Sequence, residues 1–124
     1  MNPYLLVFIG GGLGSAVRLG IGTFLNRYLQ STFPYGTLCV NIIASFILGI
    51  LTASLLFRLH AQGEQQRLLI GVGFCGGLST FSTFSLELLN LLKTENYFLV
   101  GVNVLVSVVA CLIAVWLGMM LVKQ

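Results

Sequence analysis

The sequence predicts an all-α membrane protein of four transmembrane helices, with the third helix broken near the midplane. Three observations predict it. Only 7% of the residues are charged, against 57% hydrophobic, where a soluble domain carries about 25% charged residues. Four apolar runs are each long enough to cross a bilayer, which needs about 20 residues. One of those runs contains GFCGGLSTFSTFSLE at 73–87, where paired glycines and a row of hydroxyls are poorly suited to an uninterrupted helix in lipid.

The runs can be taken in order. The first covers about 3–25 and holds one charge, Arg18. It lacks a basic leading segment and is long enough to span, so a membrane helix is expected rather than a cleaved leader. The second, about 36–57, holds no charge, and Pro34 and Gly36 mark its entry. The third, about 68–92, holds only Glu87; the fourth, about 97–122, holds none. The connections NRYLQSTFPY, RLHAQGEQQR and KTEN carry most of the remaining polar residues and are too short to form domains. A single membrane domain over 1–124, without an internal repeat, is expected.

Composition excludes several classes. The net charge of +3 comes from scattered cations, so no basic cluster is present to hold a nucleic acid. Cys39, Cys75 and Cys111 form no C-x-x-C pair and sit in apolar surroundings, which fits small packing residues. The single His60 falls in a connection, and no nucleophile and base are paired, so an enzyme is not expected.

Four spans place both termini and the 58–67 connection on one side, with Arg58, Arg67 and Lys123. The opposite side has Arg27 and Lys93. Orientation follows the excess of Lys and Arg on the cytoplasmic side. Three against two is nearly balanced, which allows insertion both ways and an antiparallel dual-topology homodimer, as well as a single fixed orientation. Four helices also make a thin wall around any polar path, so self-association is expected. Gly10-x-x-x-Gly14, Gly11-x-x-x-Ser15, Ala44 and Gly49 permit close helix approach.

Polar side chains inside the spans are candidates for function because lipid offers them no partner. Arg18 could snorkel, bind carbonyls, or put a cation at the mouth of an anion pathway. Glu87 could snorkel or make a local pair. Asn41 could clamp two helices or offer its amide to a passing ion. Asn103, Ser107 and Cys111 recur every four residues and share one helical face, either as packing glue or as a polar track.

Gly76 and Gly77 lie near the middle of the third run, where they could serve close packing of a continuous helix or interrupt it. A break there would free backbone carbonyls that only water, an ion or a partner can satisfy. Two carbonyls are too few for a cation, but a two-fold partner would double them to four, enough for a small dehydrated ion such as sodium. Phe81 and Phe84 share a face; they could be core, or could turn their positive ring edges to an anion. Ser79, Thr80, Ser82, Thr83 and Ser85 supply hydroxyl donors beside them.

At this point the chain resembles the Fluc (CrcB) family of fluoride channels, through GGGLGSAVR at 10–18, GTLCVN at 36–41 and GFCGGLSTFSTF at 73–84. The resemblance implies an antiparallel homodimer in a microbial inner membrane, with two fluoride pores and a central structural sodium ion. It implies sodium ligation by the backbone carbonyls of Gly76 and Ser79 from each subunit. It further implies that Phe81, Phe84, Asn41, Ser82 and Thr83 line the pore, with Asn103 and Ser107 on a polar face of the fourth helix and Arg18 near the aqueous vestibule. Glu87 is placed with Arg18 as a vestibule or structural group. Cys111 is a poor hydrogen-bond donor for such a track.

Two rivals have different requirements. A small multidrug-type proton-coupled transporter needs a titratable acid deep in its first span, and here that span has none. A non-transporting assembly subunit would explain packing glycines but not a midplane break flanked by donors.

Overall fold

The computed structural model describes residues 1–56 and 61–122, all of whose regular structure is helical. The first span is α1 (Pro3–Leu29) and the second α2 (Tyr35–Leu56). The third is assembled from α3 (Ala61–Gln66), a π-helical segment (Arg67–Cys75), α4 (Gly76–Leu78) and α5 (Phe81–Lys93). The fourth is α6 (Tyr97–Val122). Among the described residues four helices are long and apolar enough to cross a membrane, and the protein is an integral multi-pass membrane protein. Arg58, His60 and Lys123, used in the charge tally and the exclusion of an enzyme, lie outside the described residues.

Local chemistry sets the helix ends. Asn2 accepts the Tyr4 N–H through Oδ1 at 2.9 Å, and Pro3 occupies the first turn, where its missing N–H costs nothing. α1 continues four residues past the apolar run and ends where Gln30 turns left-handed at φ 38°. Hydropathy stops counting at Asn26 and Arg27, but the backbone needs no apolar side chains to keep coiling at a membrane surface. Pro34 C=O takes the Leu38 N–H at 3.2 Å and so opens α2. The tight turn before α6 places Glu95 at φ 56°.

The interior is built by backbone proximity more than by side-chain bulk. A Cβ added to Gly10 would collide with the Leu69 carbonyl oxygen, one on Gly14 with that of Phe74, and one on Gly77 with that of Gly11. Thus α1 lies directly against the backbone of the third span, which is how small residues associate helices where lipid removes the hydrophobic drive. Gly49 and Gly118 do the same between α2 and α6, against the carbonyls of Val115 and Phe46. Between these seams Val40, Ala44, Cys75 and Leu78 form a small buried core, flanked by Ile21, Ile43, Ile47, Ile70 and Phe74. Gly14→Ala is therefore expected to destabilise the fold by about 1–3 kcal/mol, whereas Gly12→Ala meets nothing within 4 Å and should be silent. Thermal melts of the two purified variants check this; equal melting would reject the described helix contact.

The third span is interrupted, but not at the paired glycines. Gly76 and Gly77 are helical; the chain becomes extended at Ser79 (φ −75°, ψ 155°) and Thr80 (φ −151°, ψ 121°). Gly77 serves close packing, and a Cβ on Gly76 would meet open space. The location expected from glycine content is thus corrected by three residues. What decides the break is a competing hydrogen bond from another helix.

Candidate functional site at the helix break

That competitor is Asn41. Its Oδ1 accepts the Thr80 N–H at 2.7 Å, and its Nδ2 donates to the Thr80 carbonyl at 3.2 Å. One side-chain amide therefore replaces both backbone partners of Thr80. The Thr80 N–H that would close a helical turn onto Gly76 C=O is turned away from it. Thr80 then starts α5 as its N-cap, with Oγ1 accepting the Thr83 N–H at 3.2 Å, a standard use of threonine at a helix start.

Other freed carbonyls find donors on α1. Ser15 Oγ reaches Gly77 O at 3.5 Å, and Arg18 Nη1 reaches Ser79 O at 3.4 Å. Of the roles open to Arg18, the structure places it on a carbonyl. Around Thr80 Oγ1 sit the hydroxyls of Ser82 at 3.3 Å and Thr83 at 3.1 Å. Rotatable O–H groups thus cluster at the N-terminus of α5.

Two clefts meet at Thr80. One, of about 300 Å³, is lined by Asn41, Ser45, Ser79, Thr80, Phe81, Phe84, Ser107, Val108 and Cys111, with no charged group among them. The other, of about 460 Å³, holds Ser15, Arg18, Thr37, Thr80, Thr83 and Glu87 on its walls. Phe81 and Phe84 stand 5.7 Å apart between ring centroids, inclined by 42°. Phe81 is 78% exposed on a single chain. Cys111 reaches the first cleft together with Ser107, while Asn103 lies just behind, fully buried, accepting the Ser107 O–H at 3.1 Å.

Glu87 is half-buried and takes the Thr37 hydroxyl at 2.6 Å through Oε1; its Oε2 is buried without a partner among the described residues. Although Arg18 and Glu87 share a cleft, the ion pair among the described residues is Arg67 with Glu64, at 2.8 Å. Sequence reasoning passed over Thr37 and Ser45, and read Ser15 only as a small residue permitting close helix approach. Thr37 and Ser45 stand four residues either side of Asn41, the same spacing that singled out Asn103, Ser107 and Cys111. That periodic polar stripe on the second span was available as a signal.

Gly76 and Ser79 also line a smaller cleft of about 170 Å³, shared with Ala44, Ser45, Leu48, Gly71 and Cys75. Carbonyl oxygens suit a hard cation rather than a thiophilic metal, and among the described residues no trio of His, Cys, Asp or Glu could hold a metal. Gly76 O is released by Asn41, and Ser79 O retains a second lone pair beside its bond to Arg18. The donor type therefore fits sodium, although one chain brings only a pair of oxygens.

Comparison with known proteins agrees with this architecture. Residues 5–119 match the family described as "CrcB-like protein, Camphor Resistance (CrcB)". A protein of Pyrococcus abyssi named fluoride-specific ion channel FluC is 48% identical over 124 residues, covering 100% of this chain and 98% of that one. One of the same name from Coxiella burnetii is 41% identical over 120 residues, 97% of each. Another from a Shewanella species is 40% identical over 122 residues, covering 98% and 97%. With a match running from the first helix into the last, the chain belongs to the CrcB-like family.

Proposed function

We propose that this protein is a fluoride-selective channel through which fluoride leaves the cytoplasm passively. The observation that carries the reading is the uncharged cleft beside the break, which sets amide and hydroxyl groups next to two phenylalanine rings. Near-full-length similarity to relatives named fluoride-specific channels supports it.

The chemistry is direct. Hydrogen fluoride crosses lipid when neutral and ionises in a near-neutral cytoplasm, where the anion is trapped. A negative-inside potential then drives fluoride outward through any selective path. In such a path Arg18 and the α5 hydroxyls would draw the anion from the wider cleft. Asn41, Ser82 and Thr83, with the edges of Phe81 and Phe84, would replace its water. No fixed cation lies in the narrower cleft to hold it too tightly, a requirement for conduction. Chloride is larger and bonds the same donors less strongly.

We further infer an antiparallel homodimer with two such pores. Phe81 is largely uncovered on one chain, and a second copy would enclose it. On the two-fold axis the Gly76 and Ser79 carbonyls of both copies would hold one sodium ion, which when bound ties the two breaks together.

Purified protein in liposomes is expected to release fluoride, measured by a fluoride electrode, without coupled proton movement and with chloride retained. A folded dimer that releases no fluoride would refute the channel reading. Proton-coupled movement of an organic cation would replace it with the multidrug-type alternative.

A further inference from the structure

Asn103 and Ser107 form a hydrogen-bonded pair inside the bundle, at 1% and 8% exposure. Ser107 Oγ donates to Asn103 Oδ1 at 3.1 Å. A serine has one proton to give, so in this arrangement Ser107 offers the cleft its lone pairs. Asn103 Nδ2 meanwhile is buried without a partner among the described residues. An unmet buried donor has lost its water without gaining a partner, which is unfavourable.

Rotating the amide by half a turn keeps its shape and exchanges O for N. Nδ2 would then donate to Ser107 Oγ, and the Ser107 proton would be free to point into the cleft. The unmet group would become a carbonyl, which proteins leave unsatisfied somewhat more often than an N–H. An anion in the cleft binds only the second arrangement well, and so draws the pair toward it by its differential affinity.

We propose that Asn103 is a positioning residue: through the orientation of its amide it determines whether Ser107 presents a proton or a lone pair to the cleft lined by Asn41, Phe81 and Phe84. The proposal rests on the channel reading. It adds a side chain that need not touch the ion and acts through one that does.

Asn103→Asp tests it in the full-length protein. An ionised carboxylate only accepts, so it keeps the Ser107 proton; a protonated carboxyl can donate and release it. Burial raises a carboxyl's titration toward neutrality. Fluoride efflux from liposomes, corrected with protein-free vesicles, is expected to rise at least about fivefold between about pH 8.5 and 5.5 in this variant. Arg18, Glu87, Cys75 and Cys111 are ionisable groups of the same bundle in every variant, so the wild-type series is the reference. The added pH dependence should vanish in Asn103→Asp combined with Ser107→Ala. A pH-independent Asn103→Asp, or a dependence that survives Ser107→Ala, overturns the proposal. Should the aspartate variant not fold, Asn103→Leu decides. Leucine accepts no hydrogen bond, so the Ser107 proton is left free for the cleft: efflux should be at least that of the wild type and should fall at least about tenfold when Ser107→Ala is added. Efflux well below the wild type's, or unchanged on adding Ser107→Ala, overturns the proposal there. If the wild type itself moves no fluoride, it is the channel reading that fails.

Discussion

Phe81→Ile is expected to lower fluoride efflux at least about tenfold while leaving the proposed dimer intact. The ring stands at the cleft beside the break, 5.7 Å from Phe84. Its face is electron-rich and its edge positive, so an edge can meet a small anion where no fixed charge is present. Isoleucine keeps the apolar character and most of the volume but carries no such edge. Large apolar-for-apolar exchanges of this kind are tolerated within about 1.5 kcal/mol in packed sites, so assembly should survive. Tenfold corresponds to about 1.4 kcal/mol at the barrier, modest for one of the few groups replacing water around the ion. Efflux by fluoride electrode and dimer content by size-exclusion chromatography check the two halves separately. Normal efflux would remove the ring edge from the account.

Asn41→Leu is expected to have a still larger effect, at least about a hundredfold on efflux, because it acts on the backbone as well as the cleft. Its amide is the partner of both the N–H and the C=O of Thr80. Leucine fills a similar space and satisfies neither. Each unmet buried group costs about 1–3 kcal/mol, more than a membrane helix can leave unanswered. The simplest relief is for the Thr80 N–H to return to Gly76 C=O, straightening the span and closing the junction between the two clefts. Asn41→Asp separates backbone from ion. One oxygen can still take the Thr80 N–H, but the other faces the Thr80 carbonyl and places a negative charge in an anion path. Efflux should fall in both variants, with slowed hydrogen exchange at Thr80 only in the leucine variant. Full efflux from Asn41→Leu would show that the break does not depend on this amide.

Much of this was legible in the residues. Four apolar runs declare four spans because lipid leaves little freedom over what may cross it. The hydroxyl row at 79–85 and the pair Phe81 and Phe84 mark where an ordinary helix ends. The position of the break was less legible, because glycine content is a local signal and the deciding bond comes from Asn41, 39 positions away in sequence. Arg18 was found as an out-of-place charge, yet its carbonyl partner depends on how α1 lies against the third span. That closeness rests on Gly10 and Gly14, whose pattern is too common in a chain with 15 glycines to identify an interface alone. Thr37 and Ser45 were missed through reading Asn41 as a single polar residue rather than the centre of a stripe.

The central claim is that one chain builds half of a passage and an oppositely inserted copy supplies the rest. Its most direct test is the sidedness of the connection between α1 and α2, where Ser31 is exposed. In a chain whose Cys39, Cys75 and Cys111 are replaced by alanine and that still conducts fluoride, Ser31→Cys can be labelled in intact spheroplasts with an impermeant maleimide. Near-balanced loop charge predicts that about half of the molecules react from outside and the rest only after permeabilisation. Labelling of all the molecules, or of none, would contradict the account.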